Sequence, residues 1–174
     1  TVHARETLRE LAELAKERHF LILSDEIYDE ILYEGAFTSM LSFPEARDRC
    51  MVVNGFSKTY AMTGFRLGYV IAPQTYMEKM VRHHQFMTTC IPTFIQDGAA
   101  AAMNLPETRE QVACMTDAFG RRRQLLTEML GAIEGLRFVK PAGAFYLLVN
   151  VSDTGLDGDA FAERLLQEEH VAVI

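Results

Sequence analysis

Two neighbouring stretches, Cys50-Met51-Val52-Val53-Asn54-Gly55-Phe56-Ser57-Lys58 and Arg66-Leu67-Gly68-Tyr69-Val70-Ile71-Ala72-Pro73, decide the fold. In the first, a short apolar run reads as a strand and breaks at once into the polar turn Gly55–Lys58. The second reads as another strand, stopped by Pro73. Upstream lies a third run, His19-Phe20-Leu21-Ile22-Leu23. Its length and lack of alternation predict a strand buried on both faces, as in a parallel sheet. It too returns to polarity abruptly, in Ser24-Asp25-Glu26-Ile27-Tyr28. Before it, Leu8, Leu11, Ala12 and Ala15 recur at helical spacing, which predicts a helix from about Glu6 to Arg18.

Beyond Pro73 the pattern turns helical. Helices are expected from about Thr75 to Met87, after Pro92 through Gly98-Ala99-Ala100-Ala101-Ala102, and from Pro106 to about Ile133. Proline suits the first turn of the last of these. After Gly135, strands are expected at Phe138-Val139 and from Ala144 to Val151, around Pro141-Ala142-Gly143. A final helix is expected over Asp159–Glu169, and Val171-Ala172-Val173-Ile174 reads as a strand beginning. The chain thus divides into an α/β part, residues 1–105, and an α+β part, residues 106–174, with the long helix as connector. No internal repeat or low-complexity segment interrupts it.

Composition bounds the function. The 174 residues are 49% hydrophobic, enough for a packed core and too apolar for a disordered chain. The net charge of −7 argues against a nucleic-acid partner. The local triplet Arg121-Arg122-Arg123 reads as a solvated helix face. No apolar run approaches the ~20 residues of a membrane span, so a membrane partner is not expected. Cys50, Cys90 and Cys114 form no CxxC pair and read as small core residues. With no signal peptide evident at Thr1–Glu6, they fit a reducing cytoplasm.

Ligands of open α/β sheets bind beyond the carboxyl ends of the strands. Here one strand end delivers Asp25 and Tyr28, and the next delivers Ser57 and Lys58. A carboxylate, a phenol and an amine on neighbouring strand ends could converge on one small ligand. Each also has a plain alternative. Asp25 could cap the next helix, Tyr28 could be packing, and Lys58 could be a surface lysine.

The run Gly55-Phe56-Ser57-Lys58-Thr59-Tyr60-Ala61-Met62-Thr63-Gly64-Phe65-Arg66-Leu67-Gly68 resembles, without gaps, the lysine signature of class I/II aminotransferases, the aspartate aminotransferase family of fold-type I enzymes. Ser24–Tyr28 resembles that family's cofactor-ring motif, and Lys140-Pro141-Ala142-Gly143-Ala144-Phe145-Tyr146-Leu147 resembles the start of its small domain. The resemblance implies an α/β fold: part of a large pyridoxal-phosphate-binding domain with a mainly parallel sheet, then the start of an α+β small domain. It implies pyridoxal 5'-phosphate as cofactor, amino-acid and 2-oxo-acid substrates, and a homodimer.

By the same resemblance, Lys58 would hold the cofactor as a Schiff base and later carry the substrate proton. Asp25 would keep the pyridine nitrogen protonated. Tyr28 would hydrogen-bond the phenolic oxygen. Arg66 would clamp the phosphate through its planar fork, with the Ser57 hydroxyl as a further donor. Where some relatives carry a phosphate-binding serine, three residues before the lysine, this sequence has Gly55. The ring-stacking aromatic and the arginine for the substrate carboxylate have no counterpart here. The 174-residue chain is therefore expected to be inactive alone. A pyridoxal-phosphate carbon–sulfur lyase, or the aminotransferase-like sensor domain of a transcription regulator, would share the lysine signature.

Overall fold

The computed structural model describes residues 2–174. Helix α1 spans Arg5–Arg18 and turns its Ala12 and Ala15 fully inward. Those two small residues let it lie close on the short turn Pro44–Ala46 and on the first strands. Lys16 and Arg18 stand in its last turn, where positive charge suits the helix dipole. His19 ends it in the left-handed region at φ 58°.

Strand β1 (Ile22–Asp25) pairs in parallel with β2 (Cys50–Gly55), Ile22 opposite Cys50 and Asp25 opposite Val53. Strand β3 (Gly68–Ile71) pairs with β2 antiparallel, so the sheet is mixed, in the order β1-β2-β3. The reason lies in the connection. Residues 56–67 contain turns and one 3-10 segment but no crossover helix, which a parallel partner ordinarily needs. β2 and β3 are therefore the arms of a hairpin, and the lysine turn is its loop.

One face of the sheet is a core of Ile22, Cys50 and Val52 against Ala12, Ala15, Met40, Phe43 and Ala46. Burying a large apolar side chain there contributes about 1.5–3 kcal/mol. The other face is open. Leu21 and Leu23 on the β1 side are 48% and 67% exposed, and Met51, Val53 and Val70 beside them on that face are half-buried. The expectation of a first strand buried on both faces is thus corrected, because no layer of the described residues covers the second face.

Helices α2 (Gln74–Thr88), α3 (Thr93–Met103) and α4 (Pro106–Gly131) follow, the last with proline in its first turn. Strands β4 (Arg137–Phe138) and β5 (Val149–Asn150) form a two-stranded antiparallel ladder. Helix α5 (Gly158–Glu169) is capped by Asp157, whose carboxylate accepts from the Ala160 N–H at 2.8 Å.

The strand expected from Ala144 to Val151 shrinks to β5, and the segment before it does something else. The Ala142 carbonyl accepts the Tyr33 and Glu34 amides, at 2.9 and 3.1 Å. The Ala144 N–H donates to the Ile31 carbonyl at 2.8 Å, and the Tyr33 hydroxyl donates to the Ala144 carbonyl at 2.6 Å. These bonds hold residues 142–144 against the segment that follows β1, and Ala144 takes a left-handed φ of 59° to make the turn. The expected terminal strand is also absent: residues 171–174 have no regular structure.

Candidate active site

The site is assembled from the ends of β1 and β2. After β1 the chain turns sharply, and an Asp25 side-chain oxygen, Oδ1, accepts the Ile27 N–H at 3.2 Å. Asp25 therefore caps a turn, not a helix, and among the described residues its Oδ2 has no partner. Tyr28 follows in the same turn. Its ring meets Phe145 edge-on at 5.2 Å and Tyr146 at 5.8 Å. Partial burial pushes the Tyr28 phenol above its ordinary value, and the nearby Tyr146 hydroxyl and Asp25 carboxylate push it further.

After β2 the lysine turn is closed by its own backbone. Phe56 N–H donates to the Leu67 carbonyl, Met62 N–H to Phe56, and Ala61 N–H to Lys58 itself, at 3.1–3.2 Å. The neck of this loop is the pair Gly55 and Gly68, register partners in the hairpin. A Cβ on Gly55 would stand 3.1 Å from both the Gly68 Cα and the Leu67 carbonyl oxygen. Glycine is required there by close approach of two backbones.

Lys58 is half-buried. Its Nζ lies 5.2 Å from the centre of the Phe145 ring and 5.9 Å from that of Tyr28. Such distances give a cation–π contact. Among the described residues the amine has no carboxylate partner and donates no hydrogen bond. Ser57 is half-buried, and its hydroxyl likewise makes no hydrogen bond among the described residues. Arg66 is exposed and left-handed at φ 55°, and one guanidinium nitrogen donates to the Thr63 carbonyl at 2.8 Å. That bond stays within its own turn, so the structure gathers Asp25, Tyr28 and Lys58 but brings Arg66 into no contact with them.

Beside Asp25 opens a cleft of about 170 Å³ walled by Ser24, Tyr28, Gly143, Ala144 and His3 among others; Lys58, Ser57 and Arg66 do not line it. The donor and acceptor set suits pyridoxal phosphate. An unspent amine can form a covalent bond, an open carboxylate oxygen can meet a protonated ring nitrogen, and a phenol held in its neutral form can donate.

Several contributors were not legible in the sequence. Phe145 reaches Lys58, and Tyr146 reaches Tyr28, through the docking of residues 142–144 on residues 31–34. Behind the lysine turn, buried Asn54 and Thr59 both donate to Asp29, at 2.8 and 3.4 Å. Asn54, a polar residue at the end of an apolar run, was the one sequence signal of that network. Buried Glu26 is structural: its carboxylate accepts from Ser24, Ser39 and the Met40 N–H, each at 3.0 Å.

Two sequence expectations change. Only Cys50 is a core residue, and Cys90 and Cys114 are exposed. Arg123 is not on a solvated face. Its guanidinium lies 4.8 Å over the Tyr33 ring and pairs with Glu34. No helix of the described residues is long and apolar enough to cross a membrane.

A lysine at the end of a strand, in a hairpin loop beside an aspartate and a tyrosine, is the arrangement that the resemblance to fold-type I pyridoxal-phosphate enzymes implies. Comparison with known proteins gives the same answer. The profile of the family "Aminotransferase class I and II" matches residues 1–174. The chain is 40% identical over 174 residues to a putative aminotransferase, YugH, of Bacillus subtilis, spanning all of this chain and 44% of that protein. It is 41% identical to aromatic-amino-acid aminotransferase 2 of Thermococcus litoralis, covering 99% of this chain and 44% of the relative. Among solved structures, the aromatic aminotransferase of Pyrococcus horikoshii superposes with a TM-score of 0.96 at 39% identity, covering 100% of this chain and 47% of that one. The Thermotoga maritima aspartate aminotransferase gives 0.87 at 38%, covering 100% and 44%. The chain belongs to the class I and II aminotransferases, a pyridoxal-phosphate-dependent family, and spans a little under half the length of these relatives.

Proposed function

We propose that the protein containing this chain transfers an amino group between an amino acid and a 2-oxo acid such as 2-oxoglutarate, with pyridoxal 5'-phosphate held on Lys58. The observation that carries the proposal is the Lys58 amine, half-buried over two aromatic rings with its N–H donors unspent. The bound cofactor supplies an electron sink for the negative charge that develops at the substrate Cα.

The chain's own residues do the rest. Lys58 would hold the cofactor through Nζ, and that amine, when free, would take the proton from the substrate Cα. The free Asp25 oxygen would accept the ring N–H, and its negative charge would keep that proton in place. Tyr28, whose phenol is held in its neutral form, would donate to the cofactor's phenolic oxygen. The remaining guanidinium donors of Arg66 and the Ser57 hydroxyl would hold the phosphate.

Residues 1–105 form part of the large cofactor-binding domain, and residues 106–174 form the connecting helix and the first portion of the small domain. The whole protein is a homodimer. Phe86, Met87 and Phe94, exposed by 87%, 81% and 76% on α2 and α3, support burial of that face against further polypeptide. Three unpaired cysteines suit a reducing compartment such as the cytoplasm. The relatives named above are aminotransferases, which favours amino transfer over carbon–sulfur lyase chemistry or a regulator's sensor domain.

The test is a half-reaction. Full-length loaded protein given an amino-acid donor and no acceptor should release one 2-oxo acid per site and then stop. Lys58→Ala should slow that release by about 10²–10⁴-fold. Continuous release of ammonia without an acceptor would point to lyase chemistry instead.

A further inference from the structure

We propose that Asp29 is a positioning residue for Lys58, acting through Asn54 and Thr59; this rests on the reading that Lys58 holds the cofactor. Asn54 ends β2 before the lysine turn, and Thr59 follows Lys58 directly. Both are buried, 7% and 3% exposed, and a buried amide or hydroxyl needs a partner. Both find it in one carboxylate. Asn54 Nδ2 donates to Asp29 Oδ2 at 2.8 Å, and Thr59 Oγ1 donates to Asp29 Oδ1 at 3.4 Å. Asn54 is itself committed, since its Oδ1 accepts the Gly55 N–H at 2.6 Å. A continuous set of bonds thus runs from Asp29 through Asn54 into the backbone that opens the lysine turn.

Asp29 also follows Tyr28 directly. One carboxylate therefore ties the turn after β1, carrying Asp25 and Tyr28, to the turn after β2, carrying Lys58. The Lys58 amine makes no hydrogen bond among the described residues, so its placement depends on how the two flanks of Lys58 are held. A carboxylate suits the task because it accepts twice and donates nothing. Its charge strengthens both bonds. An amide at position 29 could accept from one flank only and would present its own N–H to the other.

The test uses the full-length loaded enzyme. Borohydride trapping of the unmodified enzyme first locates the cofactor. Asp29→Asn should lower kcat about tenfold, part of the ~100-fold that a misplacement of about 1 Å costs. The substrate KM should stay within about threefold, because substrate binding is not the function lost. The visible circular dichroism of the bound cofactor should weaken, since that band reports how firmly the cofactor is held.

Phe43→Leu, in the core under the sheet, should lower the melting temperature while leaving kcat and the dichroism unchanged. Combining Asp29→Asn with Asn54→Asp restores every donor–acceptor match with the charge moved across the bond, and should return kcat to within about threefold of the unmodified enzyme. An Asp29→Asn enzyme that only melts earlier, as Phe43→Leu does, would overturn the proposal, and so would a double variant as slow as Asp29→Asn. Cofactor trapped away from Lys58 in the unmodified enzyme would refute the functional reading itself, and this proposal with it.

Discussion

Gly143 offers a one-methyl test of how the second part of the chain docks beside the lysine. A Cβ at this position would stand 2.9 Å from the Ile31 carbonyl oxygen, 3.0 Å from Val2 Cγ2 and 3.1 Å from Leu32 Cδ2. The side chains of Val2 and Leu32 can swing away, but the Ile31 carbonyl is backbone. It also accepts the Ala144 N–H at 2.8 Å, so it cannot retreat without straining that bond. Ordinary contact begins near 3.4 Å, so the two segments must part by about half an ångström. Overpacking of this kind costs about 1–3 kcal/mol.

Because the strain falls on one docking interface, the assay should be local. In Gly143→Ala full-length protein, amide exchange at Tyr33, Glu34 and Ala144 should accelerate roughly 5–140-fold, the equivalent of that energy. Phe145 should loosen against Lys58 in step. Gly64→Ala is the control, because a Cβ there meets nothing within 4 Å and the backbone is not left-handed. Exchange in Gly143→Ala within about twofold of the unmodified protein would refute the docking argument.

Three further outcomes are expected. Asp25→Asn should slow amino transfer by at least the about 1.5–3 kcal/mol of a charge-assisted hydrogen bond, and far more than Asp25→Glu, in single-turnover kinetics. Arg66→Lys should weaken cofactor retention in equilibrium dialysis despite keeping the charge, because a point charge replaces a two-pronged donor. The Cys50 thiol, pushed up to about 11 by burial and then by Glu26, favours the neutral form in the folded state. Its contribution to stability is therefore full below the ordinary thiol value of 9.0 and lost as pH rises from there through about 11. Denaturant midpoints should fall in that window, and Cys50→Ser should flatten the fall.

The elements that the sequence made legible were those with local causes. Helix α1 follows from the spacing of Leu8, Ala12 and Ala15, and the start of α4 from Pro106 in its first turn. Strand β2 and the turn bearing Lys58 follow from an apolar run cut off by polar residues. What escaped depends on partners distant in sequence. A strand's direction is set by its connection, and nothing in Gly68–Ile71 itself makes β3 antiparallel. Ala144–Leu147 has the composition of a strand but is claimed by the carbonyl of Ile31 and the hydroxyl of Tyr33. Arg123 looked solvated because its stacking partner Tyr33 and its ion-pair partner Glu34 lie far along the chain. In the site, Asp25, Tyr28 and Lys58 could be named from motifs. The rings over Lys58 and the carboxylate behind its turn required the fold.

The central claim is that Lys58 is the lysine that holds the cofactor. Borohydride reduction of the full-length loaded enzyme, followed by proteolysis and mass mapping, fixes the bond where it forms. The account predicts the pyridoxyl mass on the peptide carrying Gly55-Phe56-Ser57-Lys58 and on no other peptide of this chain. The same mass on Lys16, Lys79 or Lys140, with Lys58 unlabelled, would contradict it.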